Sequence, residues 1–371
     1  MKALCAADMK NLNRKMIFDI VRSEREITRV GLSRLTGMSS PSIVTIVDEF
    51  VESGILVPAG MAESTAIGRK SLRLRFNPDV MLSIGIEFEG DCLSVGVVNL
   101  DGDISFQILS RIPSRFGPAF FDVLAGSIQR IQTQLEKIKK NYYGIGLGIP
   151  GAMNVNTRVI YLAPYIGVMQ PTDISEMIAG IEKRFGKPVF LENDVNASAI
   201  GEYYVGRYDR KDDLLYVSIG AGLGAGVILG GKLRHGPNYM CGEIGYSVME
   251  HTQPVTSKEV GWLERQISSE GPDPQFGLRI NSGGATEADM RHVVEQTVPF
   301  VANIVNTLDL PQVVLGGTAT RQLGEPFIEL YREMLSRLTL FPARVEKCRS
   351  EFAGIVGTAM IASNQQLKNI L

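Results

Sequence analysis

Four hydroxyl side chains lie close together near the start of the sequence, at Ser39, Ser40, Ser42 and Thr45. Ser39 and Ser40 offer a hydroxyl cap to a helix in which Pro41 suits the first turn. Ser42 and Thr45 then lie near the N-terminal end of that helix. In a helix-turn-helix motif this end enters the major groove of double-stranded DNA. We therefore expect Ser42 and Thr45 to face base edges and Ser39 and Ser40 to contact phosphate.

A basic group follows further along the chain. It comprises Arg69, Lys70, Arg73 and Arg75. The stretch before it contains Gly60 and Gly68 and is rich in turn-forming residues. A basic hairpin beside a DNA-reading helix commonly reaches a phosphate or the minor groove. Arg69 and Lys70 are accordingly predicted to contact DNA.

The apolar pattern predicts the elements that would present these side chains. Helical spacing predicts a first helix around residues 12–21, a second that ends at Gly37, and a third after it. Alternating residues over 55–57 and 72–76 predict two short strands of a wing. This order indicates a winged helix-turn-helix DNA-binding domain over residues 1–78. The alternative is a small helical oligomerisation module with a solvated charge cluster.

The charge is unevenly distributed along the chain. Up to Pro78 there are twelve Lys and Arg against eight Asp and Glu, a net of +4. The remainder has 26 against 32, a net of −6. This asymmetry fits a nucleic-acid-binding head on an acidic body.

The sequence carries no sign of secretion, disulfides or a membrane span. Its cysteines, Cys5, Cys92, Cys241 and Cys348, are far apart and form no CxxC pair, so neither a disulfide framework nor a local zinc site is predicted. No apolar run approaches the roughly 18 to 20 residues that a membrane span needs, and the first residues lack a signal peptide's apolar centre. We expect a cytoplasmic protein of two or three domains with no membrane partner.

From Ser83 onward the pattern changes to β-rich runs with glycine-rich turns. SIGIEFEGDCLSVGVVNLDGDISFQ opens one half, and LLYVSIGAGLGAGVILGGKL later repeats its design. Helix-like segments occupy 120–140, 174–185 and 286–307. Two related α/β halves describe, partly by resemblance, a two-lobed actin-like or sugar-kinase-like (ribonuclease H-like) domain. We expect it to cover residues 79–371, with lobes of approximately 79–190 and 191–371.

Five motifs follow one another along this body. They are GIGLGIPGAM at 144–153, LENDVNASAIGE at 191–202, SIGAGLGAGVILGGKLRHG at 218–236, GEIG at 242–245 and VVLGG at 313–317. In this order they resemble the successive motifs of the ROK family, which comprises repressors, open reading frames and sugar kinases. Its repressor branch carries a winged helix-turn-helix like the one predicted above, with a wing ending in GRKSLRLRFNP at 68–78. The resemblance covers essentially the whole chain.

The resemblance implies a sugar site. The family's hydroxyl-binding positions match Asn193, Asp194, Glu243 and Glu264, and sugar hydroxyls need such partners because burying polar groups unpaired is costly. In the family's kinases the aspartate matching Asp194 is the general base on the sugar hydroxyl. Where the family has the histidine of GEIGH this chain has Tyr246, which we expect to bind or pack against the sugar. Alternatively, Asn193 and Asp194 merely cap the following helix.

The family's zinc motif is not matched. It combines the histidine of GEIGH with three cysteines, whereas here Tyr246 precedes a stretch with the single His251 and no cysteine. Such a stretch cannot supply the four nitrogen or sulfur ligands of a structural zinc site. We therefore predict no metal.

The phosphate-binding motifs also depart from the family pattern. The first hairpin of the family's kinases reads approximately DxGGT, but here it reads Glu87-Phe88-Glu89-Gly90-Asp91. Three carboxylates and a phenyl ring would crowd and repel a triphosphate. Ala221 replaces the usual threonine of the second loop. Since phosphoryl transfer depends on positioning and charge stabilisation, we expect neither kinase activity nor a nucleotide cofactor.

The resulting expectation is a sugar-responsive transcription repressor. Its partners would be double-stranded operator DNA and a carbohydrate effector, either a sugar or a sugar phosphate. A homodimer or a dimer of dimers is expected, because one winged helix reads too few bases. Two alternatives stay open: an active ATP-dependent sugar kinase with an accessory DNA-binding head, and a repressor whose pocket no longer binds any small molecule.

Overall fold

The computed structural model of the protein describes residues 6–61, 71–113, 115–206, 208, 211–248, 260–268 and 274–370. Contacts within the chain define two compact units. The first comprises Met1–Leu82, Asn99–Asp101 and Asn364–Leu371, and the second comprises Ser83–Val98 and Gly102–Ser363. The domain boundary after residue 78 and the lobe boundaries stay predictions.

The first unit is a small helical head with a three-stranded sheet. Its elements are α1 (Ala6–Glu24), β1 (Glu26–Thr28), α2 (Arg29–Thr36), α3 (Ser40–Glu52), β2 (Leu56–Met61) and β3 (Leu72–Phe76). The strands pair antiparallel in the order β1-β3-β2. Thr28 caps α2 by accepting a hydrogen bond from the N–H of Gly31, and Gly37 ends it in a left-handed conformation with φ 69°. This is the predicted winged helix-turn-helix.

Apolar side chains from all three segments of this unit share one core. They include Ile17, Val21, Leu32, Ile43, Val47, Phe50, Leu74 and Phe76. Leu100 and Leu367 complete the core and are almost fully buried. The head is therefore not complete within one continuous stretch of chain.

The second unit contains two lobes, each built on a five-stranded sheet. The first lobe consists of β4 (Ser83–Glu89), β5 (Cys92–Val98), β6 (Ile104–Arg111), α4 (Pro118–Lys137), β7 (Ile145–Ile149), β8 (Ala152–Asn154), β9 (Val159–Leu162), β10 (Thr172–Asp173), α5 (Ser175–Phe185) and β11 (Val189–Asn193). Its main sheet has the order β11-β7-β4-β5-β6. The first three strands run parallel, and β4, β5 and β6 form antiparallel hairpins. The small strands β8, β9 and β10 form a separate sheet.

The second lobe repeats this arrangement. It consists of α6 (Asp194–Val205), β12 (Leu214–Ile219), β13 (Leu223–Leu229), β14 (Lys232–Leu233), α7 (Trp262–Ile267), α8 (Pro274–Ser282), α9 (Glu287–Leu308), β15 (Gln312–Gly316), α10 (Gly317–Ser336) and β16 (Arg344–Lys347). The last helix, α11 (Ala353–Ile370), belongs to the second unit as far as Ser363 and to the first unit from Asn364 onward. The sheet order is β14-β13-β12-β15-β16, with an antiparallel hairpin followed by parallel strands. The predicted fold, a two-lobed α/β domain that follows a winged helix-turn-helix along the chain, is confirmed.

Glycines allow α6 and α11 to pack with their backbones in contact. A Cβ added at Gly201 would lie 1.8 Å from the carbonyl oxygen of Ala353, and one added at Gly357 would lie 1.7 Å from that of Ala197. Any side chain at these positions would push the helices apart. This contact fixes α6, whose first turn carries part of the candidate site. Within the described residues, no helix is long and apolar enough to cross a bilayer.

Candidate functional site

A cavity of about 650 Å³ lies between the two lobes of the second unit. The end of β4 and the junction of β11 with α6 form its wall on one side. The turn between β12 and β13, α7 and the start of α10 form the other. All five side chains predicted to bind a sugar line this cavity: Asn193, Asp194, Glu243, Tyr246 and Glu264.

Asn193 and Asp194 have different roles at the β11–α6 junction. Asn193 caps α6, since its Oδ1 accepts the N–H of Asn196 at 2.9 Å and its Nδ2 donates to the carbonyl of Gly151 at 3.0 Å. Asp194 begins the helix and accepts the N–H of Val195 at 2.9 Å through Oδ1. The helix-cap alternative thus describes the Asn193 side chain but leaves Asp194 lining the cleft.

The environment of Asp194 favours its neutral form. Burial raises the pKa of Asp194 to about 7, although the hydrogen bond from Val195 opposes the shift, and the charges of Glu243 and Glu264 raise it further. Burial also raises the pKa of Glu243 to about 7. Near neutral pH these carboxyls can therefore both donate and accept hydrogen bonds.

Glu243 is positioned by the glycine before it. Gly242 has φ 100°, and a Cβ there would lie 1.8 Å from the carbonyl oxygen of Ala225. The carbonyl of Gly242 accepts the N–H of Ala225 at 2.8 Å, which joins this segment to β13. Only glycine fits this close approach, so the glycine of the GEIG motif places Glu243 in the cleft.

Glu264 and Tyr246 lie beside Glu243. Glu264 Oε2 accepts the N–H of Leu223 at 3.4 Å, linking α7 to the start of β13. Burial raises the pKa of Tyr246 to about 12, and the charges of Glu243 and Glu264 contribute to the shift. We call the group of Asn193, Asp194, Glu243, Tyr246 and Glu264 the α6 half of the cleft.

The cleft also contains a second group of polar side chains, which we call the α10 half: Glu87, Glu89, Thr318 and Arg321. Thr318 Oγ1 and Arg321 Nη2 both donate to Glu89 Oε1. Burial raises the pKa of Glu87 to about 8, with a further rise from the charge of Glu89 and an opposing effect of Arg321. Glu89 therefore already occupies the hydroxyl and guanidinium donors at the start of α10.

The hairpin between β4 and β5 differs in part from the expectation. Of its three carboxylates only Glu87 and Glu89 line the cleft, whereas Asp91 is exposed and lies 3.8 Å from Arg111. The Phe88 ring stacks on Phe120 with centroids 5.1 Å apart, because alternate residues of β4 face the core of the lobe. Two carboxylates of this hairpin thus line the cleft together with Phe88.

In the first unit, α3 presents the predicted DNA-contacting hydroxyls. Ser39, Ser40, Ser42 and Thr45 are all exposed, whereas the opposite face of the helix is buried. The expected hydroxyl cap is wrong: Ser39 occupies the N-cap position, but its Oγ lies 3.0 Å from Ser42 Oγ and makes no capping bond. Pro41, the second helical residue, has no N–H that such a cap could bind.

Several predicted positions lie outside the described residues, namely Arg69, Lys70, Cys5 and His251. Of the remaining wing residues, Arg73 lies 3.3 Å from Glu26 in an ion pair. Cys92, Cys241 and Cys348 are free and partly buried. Over the described part of the chain, no group of three or more His, Cys, Asp or Glu side chains is arranged to hold a metal ion.

Sequence reasoning missed Thr318, Arg321 and the pair of the buried Glu192 with the partly exposed His235. Arg321 follows Thr318 by three residues, so both lie on one face at the start of α10. Thr318 follows directly after the VVLGG motif. If a helix begins at the end of this motif, the three-residue spacing predicts that the two side chains lie close together.

The chain has a winged helix-turn-helix head followed by a two-lobed fold with a polar cleft. This combination defines the class of sugar-kinase-like proteins with a DNA-binding domain. The profile described as "ROK family" matches residues 83–270. The chain therefore belongs to the ROK family.

Relatives of both kinds known in this family are similar to the chain. The xylose repressor of Caldicellulosiruptor bescii is 26% identical over 362 residues, covering 89% of this chain and 88% of the relative. The glucokinase of Halalkalibacterium halodurans is 26% identical over 269 residues, covering 64% of this chain and 80% of the relative. A solved "ROK family transcriptional regulator, homolog of E.coli MLC protein" has a TM-score of 0.72 at 19% identity and covers 98% of both chains. The repressor and the regulator match over nearly their whole length.

Proposed function

We propose that the protein is a sugar-responsive transcription repressor that binds operator DNA through its head and a carbohydrate effector in its cleft. One observation carries the proposal: a single chain combines an exposed hydroxyl face on α3 with a cleft lined by Asp194, Glu243 and Glu264. The similarity of nearly the whole chain to a xylose repressor supports it.

The effector we propose is an uncharged monosaccharide, and D-xylose is the first candidate. Hydroxyl groups can donate to the carboxyls of Asp194 and Glu243, and burial of those carboxyls is costly unless such hydrogen bonds form. A sugar phosphate would bring a dianion to a cleft that already carries several carboxyls, and like charges repel. The names of the similar repressors point to xylose.

We also propose that the chain does not phosphorylate its sugar. Glu89 holds Thr318 and Arg321, and a phosphate approaching these donors would have to displace a carboxylate. Ala221 lines the cleft without a hydroxyl group. The similarity to glucokinases makes sugar kinase activity the alternative. A coupled assay for ADP with D-xylose and D-glucose tests it.

The proposed DNA-binding form is a homodimer or a dimer of dimers. One recognition helix reads only a few base pairs, and two half-sites read by a symmetric dimer supply the missing specificity. Sedimentation of the free protein and of its DNA complex measures this directly.

The experiment for the whole proposal begins with selecting DNA that the purified protein binds from a random pool. The affinity for the selected DNA is then measured across titrations of D-xylose and D-glucose. We expect a dissociation constant of roughly 10⁻⁸ M or tighter at physiological salt and a clear change on adding one of the sugars. If no sequence is enriched, or if neither sugar changes the affinity, the proposal is wrong.

Individual DNA contacts are tested on the same selected sequence. Thr45→Ala removes an exposed hydroxyl of α3 and should relax the preference at one base position. Arg69→Ala should weaken binding to all sequences and reduce the salt slope by about 1. Arg111→Ala, an exposed arginine of the second unit, is the control and should change neither. An unchanged salt slope in Arg69→Ala would show that the wing does not contact DNA through Arg69.

A further inference from the structure

The buried carboxylate of Glu192 bonds to two segments that carry side chains of the α6 half of the cleft. Glu192 is the penultimate residue of β11 and is 5% exposed. Its Oε1 accepts the backbone N–H of Asn193 at 2.9 Å and the side-chain amide of Asn196 at 3.3 Å. Its Oε2 accepts from Nε2 of His235 at 2.7 Å. One oxygen thus holds the start of α6 while the other holds His235, which follows β14.

His235 belongs to a tight segment, residues 234–241, that leads from β14 to Glu243. The carbonyl of His235 accepts the N–H of Cys241 at 3.1 Å, which closes the segment into a loop. Gly236 and Tyr239 both have positive φ, at 73° and 61°, so the backbone is tightly turned. We call this segment the clasp.

The clasp makes a second contact with the first lobe. Asn156, in the turn between β8 and β9, donates through Nδ2 to the hydroxyl of Tyr239 at 2.7 Å. The rings of His235 and Tyr239 lie 5.0 Å apart, so the two anchoring side chains support one another. Because Glu243 follows the clasp by two residues, both anchors restrict its position relative to Asp194.

We propose that His235 and Tyr239 are positioning residues of the effector site. They hold the segment that carries Glu243 against the junction that carries Asn193 and Asp194, so that these groups reach the same sugar. This inference rests on the proposed sugar-binding function. The hydrogen bond to Glu192 raises the pKa of His235. A protonated imidazole would donate a charge-assisted hydrogen bond to this carboxylate.

The test compares four variants with the wild-type protein, using D-xylose and D-glucose as probes in calorimetry. His235→Leu removes the donor to Glu192, and Tyr239→Phe removes the acceptor for Asn156. His235→Gln keeps a donor at this position. Arg279→Gln is the matched control: it breaks the ion pair of Arg279 with the buried Asp289, 2.6 Å long, without altering a residue that lines the cleft.

We expect His235→Leu to weaken sugar binding by about tenfold or more, the size measured for hydrogen bonds to charged groups. Tyr239→Phe should weaken it by about three- to tenfold. His235→Gln should restore most of the affinity, which a residue needed only for packing would not do. Arg279→Gln should lower the melting temperature and leave sugar affinity unchanged.

A second measurement does not need the sugar. Hydrogen exchange of the peptide over residues 191–197 in the ligand-free protein reports directly on the Glu192 bonds at the start of α6. Exchange should be faster in His235→Leu and unchanged in Arg279→Gln. Unchanged exchange and unchanged sugar affinity in His235→Leu would overturn the positioning role. If the wild-type protein binds neither sugar, the proposed function fails instead, and the exchange comparison still decides whether His235 positions the junction.

Discussion

The two halves of the cleft both contain carboxyl groups, but the neighbours of these groups differ. In the α10 half, Glu89 accepts from Thr318 and Arg321, so its charge is balanced within the protein. In the α6 half, burial raises the pKa of Asp194 to about 7, and the charges of the neighbouring Glu243 and Glu264 raise it further. A carboxylate paired with a guanidinium has little to gain from a ligand, whereas a carboxyl among other carboxyls gains from neutral hydroxyl donors. The comparison therefore supports the proposal that the α6 half recognises the sugar, and it assigns an internal structural contact to the pair of Glu89 with Arg321.

The largest expected effect is on sugar binding by Asp194→Ala. Asp194 can bond to two sugar hydroxyls at once, and each hydrogen bond contributes about 0.5 to 1.5 kcal/mol, so the affinity for the effector should fall by roughly ten- to a hundredfold. The affinity for operator DNA without sugar should barely change, because a ligand acts only through its differential affinity for two states. Operator titrations at increasing D-xylose measure both quantities. Asp122→Ala, on the exposed face of α4, serves as the control, and curves that superimpose for Asp194→Ala and wild type would contradict the assignment.

A smaller effect is expected on the pH dependence of stability. The pKa of Glu87 is raised to about 8 in the folded protein, so the folded state holds a proton that the unfolded chain releases at lower pH. This contribution to stability is fully present below the usual glutamate pKa of about 4.5 and is lost as the pH rises through 8. Stability should therefore decline over this window.

Replacing Glu87 tests this directly. Glu87→Gln should make the protein more stable than wild type at pH 8 and should make little difference near pH 4.5. Denaturant unfolding at several pH values measures the difference. Glu329→Gln, an exposed position of α10, should leave the pH profile unchanged. Parallel profiles of Glu87→Gln and wild type would show that Glu87 is not the group responsible.

The smallest effect is expected for Arg321→Ala. The pair of Arg321 with Glu89 is partly exposed, with side-chain exposures of 32% and 42%, so its loss should cost no more than about 1 kcal/mol. Sugar affinity should stay within about twofold of wild type, and no ADP should form. Arg337→Ala, which breaks an exposed pair with Glu333 on the same helix, is the matched control. A strong gain in sugar affinity, or the appearance of ADP, would mean that the α10 half has a function of its own.

Local patterns in the sequence predicted most of the elements. The expected strands over 55–57 and 72–76 correspond to β2 and β3, and the expected helix over 286–307 corresponds to α9. Strand β1 was missed because its three residues are too short to show alternation. Apolar periodicity describes each element separately. It therefore predicts where elements lie in the sequence better than it predicts how they pack together.

The assembly of the site was only partly predictable. The motif order identified Asp194 and Glu243, since each lies in a stretch with a recognisable local pattern. The contact of Glu89 with Arg321 joins residues 232 positions apart, and the contact of Glu192 with His235 joins residues 43 positions apart. Nothing in the local sequence around either residue specifies its partner, because these pairs form only when the two lobes have folded.

The three-segment core of the head has a practical consequence for anyone who wants to study its DNA recognition in isolation. A fragment cut after Leu82 would lack Leu100 and Leu367, both of which are buried in that core. Truncating a buried leucine to alanine typically costs 2 to 5 kcal/mol, and removing two whole side chains would consume much of the roughly 5 to 15 kcal/mol that stabilises a domain. An excised head would therefore be prone to unfolding and aggregation. Gene fusions or domain swaps that transplant this DNA specificity need to carry the segment around Leu100 and the end of α11 along with the N-terminal residues.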